Sequence, residues 1–415
     1  LFGSDRQNMR LESKERFESG EHVWIGDRGF ELGLKDAQDE ARAPYRGSRF
    51  LHRQDKSEAF RYGEVVALSG DFYGTPDELY WETPTCIPWL WERNDLSDIR
   101  ETFAREIEAI EEQQRGGVEY PDHNLIYVWN AKAYDELALG NTAHFGWHNL
   151  KAYCTHHRAA LEFARQARQL RDIDPIKAEE LWGLALFTNA FADHFLTDAF
   201  AAGHIRVPRQ EIRTWADEQE GSEKLAGALS KLLHDQDGHL ETLHGEGHSL
   251  VSNEAEGLWV LNKRGDTWHT RCDGQLFIGN SGDEPAIRFP VEAVRSSVKE
   301  LFMAYLSDDA GLPAGLYEAT TYVPFPHPEG PGLADKFSAG TSDARIEKLL
   351  DSAKWYLKIP YIGPGLEADH IKALFAALPN LLDSFRKSVK QDLDQQGELG
   401  QRLPQDLLDA FGSLK

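Results

Sequence analysis

The segment that most constrains this chain is residues 189–206, NAFADHFLTDAFAAGHIR, in which His194, Asp198 and His204 interrupt an apolar run. Residues four positions apart share one face of an α-helix, so His194 and Asp198 present an imidazole and a carboxylate together. The surrounding Phe and Ala residues predict a buried helix. A buried carboxylate is unfavourable unless a cation or strong donors pair with it. The pattern therefore predicts a metal site inside a helical protein.

His204 follows too far along the chain to share the face of His194 on an unbroken helix. Gly203 is predicted to take the left-handed conformation that ends a helix, so that His204 can fold back toward the other two ligands. Any one of these histidines taken alone is better explained as a core residue. Three ligand-type residues on one apolar segment favour a metal, and imidazole with carboxylate suits Zn²⁺.

The rest of the sequence indicates a mainly α fold. Apolar residues recur at helical spacing in residues 96–114, 141–170, 177–202, 211–233 and 290–306. Residues 1–75 carry short apolar pieces around Gly and Asp, which predict loops and short helices. Residues 258–261 and 275–278 are predicted to form a small hairpin or irregular insert.

The sequence predicts three regions. Residues 1–310 would form the catalytic domain around the ligand-bearing helix. Residues 311–345 are rich in Pro and Gly and are predicted to form a linker or lid. Residues 346–415 would form a separate helical C-terminal region.

Net charge and cysteine content argue against several classes of protein. The chain has 415 residues, with 69 acidic against 45 basic side chains and a formal net charge of −24. This charge repels a nucleic-acid backbone and argues against sequence-specific binding, although metal ions can still attract phosphate locally. The three cysteines are widely spaced and fit neither a disulfide framework nor a CxxC site. The printed sequence shows no signal peptide and no run long enough for a transmembrane helix.

Further ligand-type residues precede the central segment in a fixed order. His22 lies in GEHVWIGD, Asp71 in YGEVVALSGDFYG and His144 in NTAHFGWHN, each near a glycine that permits close backbone approach. With the H-x3-D-x5-H segment, this order resembles the zinc-dependent phospholipases C and the S1/P1 single-strand nucleases. The resemblance is greatest to the bacterial zinc metallophospholipase C branch of pseudomonads and legionellae, and it covers about residues 17–305. It implies a helical core of the phospholipase C/P1 nuclease type.

The resemblance also implies two or three zinc ions and a set of ligands. These are His22, Asp71, His144, His194, Asp198, His204, His234 and Asp237. The last two are chosen from a segment that offers other ligand-type residues, Asp235, His239, His244 and His248. The family more often has an acid four residues after the last histidine, and that position here is Gly238. Better-known relatives also use an N-terminal Trp, where this chain has Leu1, so that part of the site is completed differently or holds fewer ions.

The resemblance implies a phospholipase C that releases the phosphorylated head group from glycerophospholipids by attack of a metal-bound hydroxide. Asp71 is the predicted bridging ligand and base. Arg206 is predicted to contact phosphate, with a surface salt bridge as the alternative. His157 is predicted to lie behind the ligands, where a satisfied core histidine is the favoured interpretation and a contact with the substrate is the alternative. Aromatic residues are predicted to line an apolar rim: Phe72, Tyr73, Trp89, Trp91 and Trp147.

The expected partners are a phospholipid head group or another phosphodiester and, transiently, a membrane surface, and the family resemblance implies a secreted protein. Three alternatives remain open. A nuclease of the same superfamily would use the same ligands and differ in its substrate. A non-catalytic, membrane-interacting protein on this fold would lack zinc. A ferritin-like di-iron protein is suggested only by two E-x-x-H sequences, Glu241 with His244 and Glu367 with His370.

Overall fold

The computed structural model describes residues 18–81, 96–114, 142–219, 223–237, 257–272, 276–277, 284–307, 313–353 and 366–415. Within these residues the protein has fifteen α-helices and little strand, which confirms the predicted mainly α fold. Within the same residues, no helix is both long and apolar enough to span a membrane.

The helices of the first half are α1 (Glu18–Ala41), α2 (Tyr62–Leu68), α3 (Pro76–Trp81), α4 (Leu96–Gln114), α5 (Trp147–Leu170), α6 (Pro175–Asp198), α7 (Ala202–Arg206) and α8 (Arg209–Glu218). Those of the second half are α9 (Glu223–Asp237), α10 (Pro285–Leu306), α11 (Leu333–Lys336), α12 (Asp343–Ala353), α13 (Ala368–Gln395), α14 (Leu399–Arg402) and α15 (Gln405–Gly412). A 3-10 turn spans Glu318–Thr321.

The strands are short. β1 (Leu51–His52) pairs with β2 (Ala59–Phe60), and β3 (Leu258–Leu261) lies between β4 (Thr267–Thr270) and β5 (Phe325–Pro326), all antiparallel. The predicted hairpin is therefore confirmed, but β4 supplies the partner strand. Of the predicted second arm, 275–278, the structure describes Leu276 and Phe277, which form a turn. β5 comes from the segment predicted to be a linker or lid.

The centre of the fold is the antiparallel pair of α5 and α6, which make the most extensive contact among the described helices. α6 begins as its sequence predicts, with Pro175 in the first turn and the Asp174 carboxylate accepting the backbone N–H of Lys177. Every residue from Ala185 to Asp198 is buried. The ligand segment therefore lies in the core of the protein.

Residues 18–41 form one helix of 24 residues, where the sequence had predicted loops and short helices. Its glycines explain both the error and the packing. A Cβ on Gly26 would lie 2.7 Å from the Cα of Gly63 on α2, and Cβ atoms on Gly29 and Gly33 would overlap α10. The glycines thus allow neighbouring helices to pack closely, and that packing outweighs their low helix propensity.

The helices beyond residue 366 share one continuous apolar cluster with α1, α5 and α6. α13 contacts α8, α12 and α15, and α14 contacts α5. The division of the chain into three regions stays a prediction.

Candidate metal centre

Four parts of the chain bring six predicted ligands together. His22 lies on α1, Asp71 in the loop after α2, His144 in the turn before α5, and the others on α6 and α7. They form three overlapping groups, in each of which the ligand atoms lie within 4.8 Å of one another: His22, His194 and Asp198; Asp71, His144 and His194; His144, Asp198 and His204. These groups could bind a metal ion.

Asp198 lies at the middle of the centre. Its Oδ1 is 3.5 Å from Nε2 of His22 and 3.7 Å from Nδ1 of His204. Its Oδ2 is 2.9 Å from Nδ1 of His144 and 3.6 Å from Nε2 of His194. Oδ2 is buried and accepts no well-aligned hydrogen bond from the described residues. Four imidazoles around one such carboxylate form a donor set that suits a cation.

The backbone fixes the tautomer of His194. Its Nδ1 is 3.0 Å from the carbonyl oxygen of Val66 on α2, and this oxygen can only accept a hydrogen bond, so Nδ1 carries the proton. Nε2 then presents its lone pair to the centre, 3.2 Å from Nδ1 of His144 and 4.0 Å from Oδ2 of Asp71. Orientation of this kind by an outer hydrogen bond is typical of metal-binding histidines.

Thr197 fixes His22 in the same way. The Thr197 hydroxyl donates its one proton to a backbone carbonyl of α6, that of Asp193 or His194. It must therefore accept from Nδ1–H of His22, which lies 2.7 Å away. Nε2 of His22 is thereby left with its lone pair facing Asp198. Nothing in the sequence pattern singled out Thr197, although it lies beside Asp198 on the ligand-bearing helix.

Asn149 and the backbone tie His144 to His204. Nδ1–H of His204 donates to the carbonyl of His144 at 2.9 Å, and the side-chain amide of Asn149 donates to the carbonyls of both histidines. Gly146, with φ +57°, donates its backbone N–H to the carbonyl of His204 at 2.7 Å. His144 itself lies in the turn before α5, although residues 141–170 as a whole had been predicted to be helical.

Gly70 brings the backbone of the Asp71 loop against the imidazoles. It has φ +76°, and a Cβ there would lie 2.8 Å from Nε2 of His194 and 2.9 Å from Nε2 of His144. Only glycine combines this backbone conformation with so close an approach. Asp71 is the more exposed of the two aspartates at the centre, since its side chain keeps 13% of its accessible surface against 2% for Asp198. Its Oδ1 lies 3.8 Å from Nε2 of His144.

The turn that carries His204 back to the centre differs from the prediction. α6 ends at Asp198, Ala201 is extended, and Gly203 lies inside α7 without a positive φ. The left-handed conformation predicted for Gly203 was wrong. Gly203 is instead required for its small size, because a Cβ there would overlap the ring of His234. That ring lies 4.9 Å from the ring of His204, centre to centre.

Burial and charge act in opposite directions on the central groups. Burial raises the pKa of Asp198, but the imidazoles of His194, His144 and His204 outweigh it and hold the pKa far below its usual value. Burial lowers the pKa of His194 well below 6.5. Burial also lowers the pKa of His144, yet the carboxylates of Asp198 and Asp71 more than compensate and raise it above 6.5. These directions favour an ionised carboxylate and a neutral His194, the forms that bind a cation.

The two residues of the last predicted ligand pair, His234 and Asp237, have different environments. His234 lies near His204 and Phe145, and its Nδ1 is 2.8 Å from Oδ1 of Asp235. Asp237 instead makes a two-point ion pair with Arg206, in which Nε and Nη2 each donate at 2.7 Å. The structure therefore places neither Asp237 nor Arg206 among the ligand groups. The salt bridge considered for Arg206 is therefore present, but both side chains are buried and it does not lie at the surface.

Most of the described side chains that were predicted to contact the substrate pack in the protein core instead. Phe72 is buried against Phe103, and the hydroxyl of buried Tyr73 accepts a hydrogen bond from Arg53. His157 is buried between Asn189 and Glu300, with one ring nitrogen within 2.9 Å of each. It therefore has the satisfied core environment that was its favoured interpretation, and no contact with the substrate side is shown for it among the described residues. Trp147 is fully buried. Trp89, Trp91, His239, His244 and His248 lie outside the described residues.

The E-x-x-H sequences give the di-iron alternative no support. Glu367 and His370 begin α13, where the backbone N–H of Glu367 donates to Nδ1 of His370 in an exposed helix cap. They take no part in the ligand groups of the described residues. Glu241 and His244 lie outside those residues.

Comparison of the chain with protein-family models, with curated proteins and with solved structures found no match.

Proposed function

We propose that this chain is a zinc-dependent phosphodiester hydrolase that acts as a phospholipase C on glycerophospholipids. The observation that carries the proposal is the convergence of four histidines and two aspartates, from four parts of the chain, into three overlapping groups. An incidental core would pair its buried histidines with hydrogen-bond partners one by one. Here the rings of His22 and His194 are held from behind through Nδ1, so that Nε2 of each ring faces the Asp198 carboxylate.

The chemistry of the donors supports zinc. Ligand bonds of about 2.0–2.1 Å in a tetrahedral site place neighbouring ligand atoms about 3.3 Å apart. The distances from Asp198 to His22 and His194, 3.5 and 3.6 Å, are close to this value. Imidazole nitrogen with carboxylate oxygen suits zinc better than magnesium or calcium, which prefer oxygen alone. When bound, zinc would polarise a phosphate oxygen of the substrate and lower the pKa of a water molecule.

The two aspartates have different proposed tasks. Asp198 is buried and belongs to two groups, so it serves as the ligand shared between metal positions. Asp71 belongs to one group and keeps more exposed surface, so it lies on the side from which water and substrate arrive. Asp71 is the proposed base that accepts a proton from the attacking water. Asp198 has its pKa far below the usual value and would be a poor base.

Arg209 replaces Arg206 as the proposed phosphate contact. Its guanidinium lies over the ring of Phe145, 4.6 Å from the ring centre, and Phe145 stacks on His204 at 4.5 Å. The charge of Arg209 also acts on His144, whose pKa it lowers. A half-buried guanidinium over a ring that stacks on His204 is suited to a phosphate oxygen of the substrate. Arg206 is already committed to Asp237.

The acidic net charge of −24 favours a lipid over a single-stranded nucleic acid as substrate. A transient membrane contact and a secreted location belong to the same proposal. The nuclease of the same superfamily is the alternative, because the ligands alone do not separate the two substrates.

The test combines metal quantification with hydrolysis of phosphatidylcholine vesicles and of single-stranded DNA. The wild type is expected to retain zinc and to release head group, whereas His194→Ala loses both. His269→Ala removes an exposed imidazole on β4, outside the three groups, and is the matched control. DNA cleavage without lipid hydrolysis would favour the nuclease. A wild type that binds no zinc would overturn the metal-dependent function and favour a non-catalytic role.

A further inference from the structure

His144 lies in a turn, and the turn is held from the outside by the C-terminal helices. A metal-ligating residue within an α-helix is held in place by the backbone hydrogen bonds of that helix. Residues 142–146 precede α5, so His144 has no such support. The position of this imidazole therefore depends on tertiary contacts. On the inner side these are the contacts to His204 and Asn149. On the outer side they come from α13 and α15.

Asp392 on α13 makes the polar part of the outer contact. The indole Nε1–H of Trp147, the first residue of α5, donates to Oδ2 of Asp392 at 3.0 Å. Nζ of Lys151 donates to Oδ1 of the same carboxylate at 2.7 Å. Trp147 is fully buried, so its N–H requires a partner, and the ion pair with Lys151 keeps that partner in place.

Phe385, two helical turns earlier on α13, makes the apolar part. A Cβ on Gly146 would lie 3.0 Å from the ring of Phe385, so the backbone of the turn lies directly against it. Phe385 also lies 6.1 Å from Phe411 of α15, which in turn contacts Trp147 edge to face. Gly146 and Trp147 are the second and third residues after His144, so both anchors act on the ligand-bearing turn itself.

We propose that Asp392 is a positioning residue for the metal centre, and that the C-terminal helices complete the site by holding the His144 turn. This inference rests on the proposed metal-dependent function, since it takes His144 to be a ligand. Loss of the carboxylate would release Trp147 and let the turn move, while His22, His194 and Asp198 keep their places. Outer-shell changes of this kind typically weaken metal binding about 10–100-fold.

The experiment compares Asp392→Ala with Asp383→Ala in the full-length protein. Asp383 is on the same helix and is half-exposed, and among the described residues its ion pairs are with Arg386 and Lys387, so the control removes an equal charge away from the turn. Cobalt(II) is added as the probe, and its affinity and visible absorption are measured. Asp392→Ala is expected to bind about 10–100-fold more weakly, with an altered spectrum, while Asp383→Ala matches the wild type.

Trp147→Phe is the second variant, for use if Asp392→Ala fails to fold. It removes the N–H donor and keeps an aromatic side chain, although a smaller one, and it is expected to shift the cobalt spectrum in the same direction. Equal affinity and an unchanged spectrum in all variants would overturn the positioning role while leaving the metal-dependent function intact. A wild type that binds neither cobalt nor zinc would instead overturn the proposed function.

Discussion

Nδ1 of His144 lies 2.9 Å from Oδ2 of Asp198, although the histidine is in the turn before α5 and the aspartate is the last residue of α6. This contact connects the ligand group of His22, His194 and Asp198 with the group of His144, Asp198 and His204. Asp198 belongs to the group of His22 and His194 and to that of His204. Asp71, predicted as the bridging ligand, belongs to one group, so the geometry favours Asp198 as the shared carboxylate.

Thr197→Val tests whether His22 is held for metal binding. The substitution nearly conserves volume but removes the hydroxyl that accepts from Nδ1–H of His22. The ring then loses the contact that keeps Nε2 toward Asp198, and zinc affinity is expected to fall about 10–100-fold. Competition with a chelator measures the change. Thr188→Val, at another buried position of α6, is the control and should bind like the wild type.

Gly70→Ala tests the close approach of the Asp71 loop. A methyl group at Gly70 meets both His194 and His144, and the positive φ adds backbone strain. Gly265 has φ +86° with nothing within 4 Å of a Cβ, so Gly265→Ala imposes the strain alone. That strain is worth about 1 kcal/mol, whereas Gly70→Ala should also lose metal binding. Equal metal affinity in the two variants would contradict the packing of this loop against the ligands.

The ligand positions on α6 were predictable because a helix has a fixed period, which places His194 and Asp198 on one face whatever surrounds them. The mainly α fold followed from the same periodicity. What could not be predicted depends on contacts between distant segments. The glycines of α1 look like helix breakers until α2 and α10 are packed against them. Thr197 and Asn149 are ordinary residues until His22 and His144 are beside them.

The environment of the last predicted ligand pair, His234 and Asp237, also depends on contacts between distant segments. Spacing allowed Asp237 to share a metal with His234, since residues three apart on a helix are neighbours. The structure places Arg206, from a different helix, closer to Asp237 than any imidazole of the three groups. No sequence pattern distinguishes an aspartate that binds a metal from one that pairs with a buried guanidinium.

Asp237→Asn is therefore expected to affect stability and not metal content. Removing one partner of a buried ion pair costs about 3–5 kcal/mol, because Arg206 is left buried without its counter-charge. Denaturant unfolding measures the loss, and zinc per chain should be unchanged. Asp172→Asn, at an exposed position after α5, is the control. Loss of zinc at unchanged stability would restore Asp237 as a ligand.

The pKa of Asp237 gives this effect a pH dependence. Burial raises the pKa, but Arg206 and Lys336 outweigh it, so the folded-state pKa lies below the usual 3.8. A lowered pKa contributes stability that is present above 3.8 and is lost as the pH falls through the folded-state value. The stability difference between wild type and Asp237→Asn should therefore be constant near neutral pH and shrink below about pH 4.

Metal binding itself should depend on pH through His144. In the metal-free protein the carboxylates of Asp198 and Asp71 raise its pKa above 6.5 despite burial, so a proton occupies the ring up to a higher pH than usual. A cation must displace this proton, so zinc affinity is expected to rise as the pH increases through that pKa and then to level off. Asp198 and His194, with lowered pKa values, hold no competing proton near pH 7.

Asp71→Asn separates this effect from a general loss of ligands. Removing one of the two carboxylates should lower the pKa of His144 in the metal-free protein, which NMR titration of the imidazole measures directly. Asp77→Asn changes an exposed carboxylate on α3 and should leave the titration unchanged. Zinc affinity that does not vary with pH while His144 titrates in the same range would mean that this imidazole is not a ligand. The centre would then be built around Asp198 with His22, His194 and His204 alone.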